Sequence, residues 1–431
     1  MISSSLEEQK WSRLHWWTFI SFALGLILEG YVFSLASVAV SWYAVPKILE
    51  VTLLAWPVIW FIIGVSLYGP LSDKIGRKRT FFYSMSLYAI GGILLIFSTN
   101  YIMILISIAI LVSSAGGEMN VIMTAAHEYF PRKYRNRTIM ILIDFVALSS
   151  VITAVVGFVS ISSSVVWGRY TAATLVFATV IAMLIARLHM PESIRWLEKV
   201  GRKEKAKEEA SKYFATVENT GSTAASAEQL AKQAIKYPPI WFSLLAITLM
   251  AIANNIGFGF LTFTLGPIYF PSLTPYILLI AGIAGFAGGL LGFAGDRMSK
   301  KWLLTVSFVG MTVLAAVVAV TMPIWIKNIN LFWVLLIIIN PVNQWTYMGV
   351  DSIKGEVWPT QRRGTYTAFI RAVQNIAYIP ALYWATTLSP YNFLIFNIII
   401  WGIGAVGAVL WHIKGYETAK YTSIAVASRE A

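Results

Sequence analysis

A charged motif occurs twice in this chain, about half a chain length apart, and this repeat constrains the fold more than any other feature. Residues 69–79 read GPLSDKIGRKR, and residues 292–301 read GFAGDRMSKK. Each copy has a glycine, three residues, an aspartate, a basic residue, one further residue, a glycine or serine, and a basic pair. The two copies begin at Gly69 and Gly292, so that their numbering differs by 223 (292 minus 69).

Two further motifs repeat at nearly the same spacing. EYFPRKYR at 128–135 matches EVWPTQRR at 356–363 as E-x-x-P-x-x-x-R, with an offset of 228 (356 minus 128). A weaker pair aligns Glu192 in PESIRWL with Glu417 in YETAK, at an offset of 225 (417 minus 192). Three motifs with nearly one shared offset indicate an internal duplication, and such a repeat sets the architecture of a chain.

The composition indicates that both halves lie in a membrane. The chain is 58% hydrophobic and 12% charged, whereas soluble domains carry about 25% charged residues. Continuous apolar runs of about 20 residues can cross a bilayer as helices, and open strands are excluded because lipid cannot satisfy their backbone groups. We predict twelve helices, at residues 16–41, 52–71, 80–98, 101–126, 138–160, 168–189, 240–265, 276–294, 302–324, 331–350, 365–387 and 391–412.

The distribution of lysine and arginine predicts the orientation of these helices. One set of loops holds nearly all the basic residues, while the opposite loops hold only Lys47, Arg169 and Lys327. Because basic loops stay in the cytoplasm, we predict that both termini are cytoplasmic and that the protein lies in the plasma membrane. The polar first 15 residues predict no cleavable signal peptide. The net charge of +13 is scattered over short loops and indicates no nucleic-acid partner.

A polar segment divides the chain into two halves of six predicted helices. Within it, residues 198–212 are charged and typical of a helix, and residues 218–227 read ENTGSTAASA, which predicts a flexible linker. We therefore predict an N-terminal bundle at 1–190, a cytoplasmic linker loop at 191–239, and a C-terminal bundle at 240–431 with a short cytoplasmic tail.

The duplicated charge motifs, together with two sets of six spans, resemble the major facilitator superfamily. PESIRWL and the E-x-x-P-x-x-x-R repeats are similar to the sugar-porter branch, whereas Glu29-Gly30-Tyr31 and the sequence AGGE ending at Glu118 are similar to the branch of organic-acid and metabolite proton symporters. The resemblance implies an all-α membrane protein with 12 transmembrane helices in two pseudo-symmetric six-helix bundles. The chain differs from the sugar porters in having no basic residue between Asn100 and Glu128.

By this resemblance, the repeated charges tie helix ends together when the cytoplasmic side is closed. An acid at the turn before a helix can also face helix N-termini, which favour negative charge. The alternative is a set of ordinary basic loops with incidental surface ion pairs of little energetic value. The predicted cytoplasmic gate comprises Asp73, Arg77, Glu128, Arg135, Glu192 and Arg195 in the first half, and Asp296, Arg297, Glu356, Arg363 and Glu417 in the second.

Three acids inside predicted spans are candidates for proton coupling. An ionisable group within a membrane is costly and usually marks a transport pathway or proton relay. Glu29 lies near the middle of the first span, and Glu118 lies ten residues before Glu128, about 15 Å along the helix. Asp144 lies in the fifth span, where it needs a partner or water. The alternative is a protonated, hydrogen-bonded structural acid.

Polar side chains at steps of three and four along the tenth and eleventh spans predict a binding face. Amides can donate and accept at once, which suits hydroxyl and carboxylate ligands, while the alternative is interhelical hydrogen bonding. Arg371 either contacts substrate or forms a structural ion pair with Asp351. The predicted substrate-binding residues are Asn254, Asn255, Asn340, Asn343, Gln344, Tyr347, Arg371, Gln374, Asn375 and Tyr378.

We therefore predict a secondary transporter that moves a small polar organic solute, an organic acid or a sugar, by alternating access. Proton symport is the favoured mechanism, with a uniporter, a multidrug/proton antiporter and a non-transporting sensor as alternatives. No P-loop or catalytic motif occurs in the sequence, so we expect neither an enzyme nor a cofactor. The lack of cysteine and of a paired-histidine motif predicts no metal site. The expected partners are the solute, protons and lipid, and we expect a monomer.

Overall fold

The structure, a computed structural model, describes residues 9–39, 42–44, 46–213, 237–419, 424–427 and 429. Nearly all of this described part is helical, and it contains no strand. Twelve long helices follow in chain order: α1 (Arg13–Ala39), α2 (Lys47–Ile75), α3 (Arg77–Phe97), α4 (Tyr101–Tyr129), α5 (Arg135–Ser162), α6 (Val165–Leu188), α7 (Ile240–Tyr269), α8 (Pro271–Ala294), α9 (Lys300–Val320), α10 (Ile329–Glu356), α11 (Arg363–Thr387) and α12 (Pro390–Lys414).

Eleven of these helices are long and apolar enough to cross a membrane, within the ranges that the structure describes. The helix outside that set is α11, whose 25 residues would extend about 38 Å. Its N-terminal half carries Arg363, Arg371, Gln374 and Asn375, all buried. These side chains lower its hydropathy, but they face other helices rather than lipid, so α11 is the most polar of the twelve predicted spans.

Three of the long helices, α3, α5 and α11, begin at a buried arginine. The predicted spans starting at 80 and 138 correspond to α3 and α5, which begin at Arg77 and Arg135. Both arginines are buried, because acceptors inside the bundle hold their guanidinium groups. A helix boundary set by a buried charge is not visible to an argument based on hydropathy.

Irregular turns interrupt α5, α7 and α8. A 3-10 turn at Phe145–Ala147 divides α5, and α8 ends in another at Leu290–Ala294. In α7, Gly259 has a φ of 63°, and the π-helical segment Phe260–Leu265 follows it. Such segments are common at functional sites.

The predicted linker contains two short helices, Ile194–Lys199 and Lys203–Tyr213, so its helical character begins earlier than predicted. Gly201, with a φ of 80°, separates them. The predicted flexible stretch at 218–227 lies outside the described residues, as do the last two residues of the predicted first span.

Each half of the chain has its own apolar core. One cluster of buried side chains comes from α1 to α6 and takes in Leu303, Met348 and Ala368 of the second half. A second cluster comes from α7 to α12. Large apolar side chains such as Ile161 and Val320 are about three-quarters exposed at the rim of the bundle, as expected for a surface in contact with lipid. The two cores correspond to the two predicted bundles, whose bounds stay a prediction.

The halves meet along α2 and α11, α5 and α8, and α4 and α10. Even-numbered helices end, and odd-numbered helices begin, at one side of the bundle, which we call the basic face. There Gly69 of α2 lies against α11, because a Cβ at this position would be 2.6 Å from the Cβ of Ala368. The two halves are therefore in contact at the basic face.

Candidate functional site

The first repeated motif forms a buried ion-pair cluster at the basic face, which we call the first clamp. The guanidinium of Arg77 donates to Glu128 at 2.8 and 3.2 Å and to Asp73 at 2.9 Å. It also donates to the carbonyl of Ser72 at 2.7 Å. The Arg77 and Glu128 side chains are fully buried. One arginine fork therefore joins the end of α2, the start of α3 and the end of α4.

Glu192 caps the start of α3. Its Oε1 accepts from the backbone N–H groups of Arg77 at 2.9 Å and Lys78 at 3.2 Å. Burial raises the pKa of Glu192, and the backbone donors, with that of Ser193 first, oppose this rise. The approach is possible because Gly76 has a φ of 100° and no side chain, since a Cβ there would clash with Oε2 of Glu192.

The second half repeats this arrangement in what we call the second clamp. Lys300 donates to Glu356 at 2.5 Å, and both side chains are buried. Glu417 accepts from the Lys300 backbone N–H at 3.1 Å, as Glu192 does from Arg77, and also from the Ser299 hydroxyl.

The buried cation of the second clamp is Lys300, which is not among the predicted gate residues, whereas the predicted Arg297 is exposed. The side chain of Arg297 is exposed and forms no ion pair within the described part of the chain. The offset that relates Gly69 to Gly292 also aligns Arg77 with Lys300 (300 minus 77 is again 223). A strict alignment of the two motif copies could therefore have identified Lys300.

Each motif aspartate reaches across to the other half. Asp73 accepts from the backbone N–H of Thr365 at 3.2 Å and from its hydroxyl at 3.1 Å. Asp296 accepts from the backbone N–H and from Nε of Arg137, both at 3.1 Å. Burial raises the pKa of Asp296, and the Arg137 backbone N–H is the main opposing cause. Both donors lie at helix N-termini, of α11 and α5, where negative charge is favoured.

The remaining predicted gate residues brace the helix ends. Arg135 and Arg363 donate from Nε to the carbonyls of Phe130 and Trp358, at 3.2 and 3.3 Å. Arg363 also lies 3.6 Å from Glu128, so this ion pair crosses between the halves. Arg195 is buried in the short helix after α6. All predicted gate residues except Arg297 thus lie buried or half-buried at the basic face.

Glu118 is held inside the first half by an arginine. Arg187 of α6 donates to its two carboxylate oxygens at 2.5 and 3.2 Å, and both side chains are buried. The hydroxyl of Ser84 also donates to Glu118, and Arg187 Nε donates to Ser21 at 3.1 Å. The carboxylate of Glu118 is therefore ion-paired and hydrogen-bonded within the first half. The sequence grouped Arg187 with the basic loops, and no signal in it indicates this partner.

Glu29 has a different environment. Its side chain is buried, and its Oε2 has no hydrogen-bond partner within the described residues. The charges that act on it most strongly are Arg371, Asp351, Lys354 and Glu118. Three of these belong to the second half, so the unsatisfied carboxylate of α1 faces across the interface between the halves.

The charges opposite Glu29 form a connected group in α10 and α11. Arg371 donates to Asp351 at 2.7 Å, and Lys354 pairs with the other oxygen of Asp351. Lys354 also donates to Gln374 at 3.0 Å, and Arg371 Nη1 lies 2.9 Å from the sulfur of Met119 in the first half. We call Glu29, Asp351, Lys354 and Arg371 the central cluster. Lys354 belongs to it although it was not among the predicted site residues.

Several predicted binding residues surround the central cluster. Asn255 donates to the Gln374 carbonyl and to the Asn375 side chain, both at 3.3 Å. Asn375 in turn donates to the carbonyl of Arg371 at 2.7 Å. The hydroxyl of Tyr347 donates to the sulfur of Met119 at 3.8 Å. These side chains therefore form a polar lining next to Arg371.

Other predicted binding residues lie elsewhere. Asn254 accepts from Thr346 at 2.8 Å, and Asn340 contacts Thr262 at 3.5 Å, so both join helices of the second half. Asn343 and Gln344 each have one buried polar atom without a hydrogen-bond partner among the described residues. Tyr378 is half-buried.

Asp144 is buried in the contact between α5 and α8. A Cβ on Gly289 would clash with its Oδ1, so only a glycine allows the aspartate to approach. Gln344 is near, but outside hydrogen-bond geometry. The structure therefore places Asp144 against α8, apart from the residues that group around Glu29.

The described residues form a duplicated twelve-helix bundle with buried ion pairs at one face and a charged centre. The model of the Major Facilitator Superfamily matches residues 17–382, and the chain belongs to this superfamily. The predicted fold class is confirmed, and the superfamily membership points to a transporter rather than an enzyme.

The individual relatives share low sequence identity with this chain or match only part of it. The "Glucose transporter GlcP" of Staphylococcus epidermidis is 33% identical over 32% of this chain, and the match spans 30% of that relative. The "Minor myo-inositol transporter IolF" of Bacillus subtilis is 28% identical over 32% of this chain and 31% of its own length. The matches thus span about a third of these relatives. The "Putative metabolite transport protein YaaU" of Escherichia coli is 22% identical over 93% of this chain and 91% of its own.

Solved structures support the fold. The proton:xylose symporter XylE, bound to 6-bromo-6-deoxy-D-glucose, superposes with a TM-score of 0.79 at 18% identity, covering 97% of this chain and 99% of XylE. The inward-open conformation of XylE from E. coli gives a TM-score of 0.63 at 19% identity, covering 93% and 96%. At these identities the likeness concerns the fold alone.

Proposed function

We propose that this protein is a proton-coupled symporter that moves a small polar organic solute by alternating access. The observation that carries the proposal is the carboxylate of Glu29, which is buried where the two halves face each other and whose Oε2 has no hydrogen-bond partner among the described residues. A buried acid that can gain and lose a proton between the halves provides what coupling requires. The name of XylE, a proton symporter of the same fold, supports this choice.

The two clamps supply the gate. They hold the halves together at the basic face through the contacts of Asp73 with Thr365 and of Asp296 with Arg137. Opening this face requires these two contacts and the Arg363–Glu128 ion pair to break, while the ion pairs within each half can persist. The halves would then rock around the central cluster, as the alternating-access mechanism requires.

The basic face is proposed to be cytoplasmic, because lysine and arginine accumulate on that side. Both termini would then be cytoplasmic and the protein would lie in the plasma membrane as a monomer. Labelling of single cysteines tests this topology without background, since the chain has no cysteine. Labelling of a basic-face position from outside intact cells would contradict it.

The transport proposal is tested with purified protein in liposomes under an imposed pH gradient, using sugars and carboxylates as solutes. We expect accumulation that follows the gradient. Glu29→Gln should abolish accumulation but keep solute exchange, because glutamine cannot carry the proton. Glu204→Gln, on an exposed short helix, is the matched control. Equal, gradient-independent exchange by wild type and Glu29→Gln would instead identify a uniporter.

A further inference from the structure

The central cluster brings together four charged side chains. Arg371 and Lys354 supply two positive charges, and Asp351 supplies one negative charge to both. The fourth member, Glu29, brings the sum to zero only when it is ionised. When Glu29 carries a proton, the cluster has one uncompensated positive charge in a buried place, which is costly unless an anion joins it.

We propose that the transported solute is a small organic monocarboxylate that binds at Arg371 while one proton binds at Glu29, so that the pair crosses without net charge. This inference rests on the proposed symport function and names its substrate class. The proton comes from the solution on the loading side and leaves to the solution on the releasing side. The anion compensates the positive charge that protonation of Glu29 uncovers.

Arg371 has N–H donors without a strong acceptor among the described residues. A guanidinium presents five N–H donors. Arg371 uses one nitrogen for Asp351, points Nη1 at the weakly accepting sulfur of Met119, and leaves Nε without a hydrogen-bond partner in the described structure although it is buried. Lys354, by contrast, already pairs with Asp351 and donates to Gln374. An incoming carboxylate is therefore recognised at the guanidinium rather than at the ammonium group.

Among the described residues, the groups around Glu29 offer no other source of charge compensation. In α4, Glu118 is neutralised by Arg187 of α6, and α3 presents the neutral Tyr88. In α5, Asp144 lies against α8. From the second half, Tyr347, Asp351 and Lys354 of α10 and Arg371 of α11 face Glu29. Protonation of Glu29 thus leaves its excess positive charge on Arg371 and Lys354.

Amide groups next to Arg371 fit the neutral part of such a solute. Asn255 and Asn375 contact each other and the backbone of α11 beside the guanidinium. The ring of Tyr347 lies 6.4 Å from that of Phe258, which provides an apolar surface nearby. A sugar could also bind to the amides, but it would leave the positive charge uncompensated.

The test compares carboxylates with matched neutral solutes in proteoliposomes: nicotinate with nicotinamide, and lactate with 1,2-propanediol and glucose. The membrane potential is clamped with potassium and valinomycin. At a ratio of one proton to one monoanion, a gradient of one pH unit should give about tenfold accumulation of a carboxylate. A potential of about 100 mV alone should give none, whereas net movement of one charge would give about 50-fold.

Substitutions at Arg371 and Glu29 test whether these residues bind the carboxylate and the proton, respectively. Arg371→Gln should weaken carboxylate binding by about 10–100-fold, as expected for loss of a hydrogen bond to a charged group. Arg371→Lys should restore part of this loss, and thermal unfolding shows that each variant is folded. Glu29→Gln should keep carboxylate exchange while losing the response to pH. Arg79→Gln, at an exposed residue, is the control for removal of an arginine.

The outcomes separate the two proposals. Accumulation of neutral solutes alone, driven by the pH gradient, would overturn the monocarboxylate assignment and keep the symport function. Carboxylate uptake driven by the potential alone would overturn the charge balance. Unchanged carboxylate affinity in Arg371→Gln would overturn the binding role of Arg371. Failure of wild type to move any solute of the panel would count against the transport proposal itself.

Discussion

The two clamps at the basic face share a plan but differ in chemistry. In the first, one arginine fork binds two acids and a carbonyl around Gly76. In the second, Lys300 binds one acid, Glu356, and Ser299 replaces the glycine. The backbone N–H of the basic residue donates to a glutamate in both clamps, at 2.9 and 3.1 Å.

This difference shows which parts of the repeat the fold requires. A planar arginine fork can satisfy several acceptors at once, whereas a lysine acts as a point charge on a flexible stem. The retained parts are one buried cation, one buried acid, and a glutamate at the N-terminus of the following helix. The first clamp adds acceptors to this set, so it should be the more costly one to break.

The largest effect is expected for Arg77→Gln. This change leaves Glu128 and Asp73 without their main partner, and breaking a buried ion pair costs about 3–5 kcal/mol. Titration with a denaturing detergent, followed by the fluorescence of the 17 tryptophans, measures the loss. A loss below about 1 kcal/mol would mean that this clamp behaves like a surface ion pair.

Lys300→Gln should have a smaller effect in the same titration, about 2–3 kcal/mol, because only Glu356 loses a charged partner. A cysteine placed at Ala368, buried between the halves, also tests whether the basic face opens. Its alkylation should be faster in Arg77→Gln than in Lys300→Gln. The reverse order would show that the second clamp dominates.

The next largest losses of unfolding free energy are expected for substitutions at the turns that precede α3 and α9. Gly76→Ala forces a side chain into a φ of 100° and against Glu192, which should cost about 1–3 kcal/mol. Ser299→Ala removes one hydroxyl from Glu417 at an ordinary φ of −77°, and should cost about 1 kcal/mol. Equal losses of unfolding free energy in the two variants would contradict the difference described for the turns.

The smallest effect is expected for Asp296→Asn. Its partner Arg137 is 39% exposed, and partly exposed ion pairs contribute about 0–1 kcal/mol. The asparagine oxygen can still accept from the Arg137 backbone N–H. The free energy of unfolding should therefore be nearly unchanged. The cysteine placed at position 368 should be alkylated slightly faster than in the wild-type background. A loss as large as that of Arg77→Gln would show that Asp296 carries the contact between the halves.

Many residues of the two clamps could be predicted because they repeat along the chain. The offset between the two copies of the first motif aligns Asp73 with Asp296 and Arg77 with Lys300, whereas it aligns the predicted Arg297 with Lys74. The offset of the E-x-x-P-x-x-x-R pair also aligns Arg137 with Thr365, the donors to the two aspartates. A repeat preserves position along the chain, so it indicates equivalent places in the two bundles.

The central residues were less predictable. Glu29 and Glu118 have the same chemistry and were given the same role, but the structure separates them. Glu118 is neutralised by Arg187, and Glu29 keeps an oxygen without a hydrogen bond, among the described residues, opposite the second half. Hydropathy shows that an acid lies in a membrane span, but it does not show which helix faces it.

The amino-acid sequence was enough to predict the duplication, the twelve spans from their apolar runs, the distribution of basic residues, and the types of residue that the clamps require. Only the tertiary structure decided which charges meet: Glu118 with Arg187, Lys300 with Glu356, and Glu29 opposite Arg371. The reason is physical. Hydropathy and repeats depend on neighbours along the chain, whereas a buried ion pair depends on the rotation and tilt of helices that are distant in sequence.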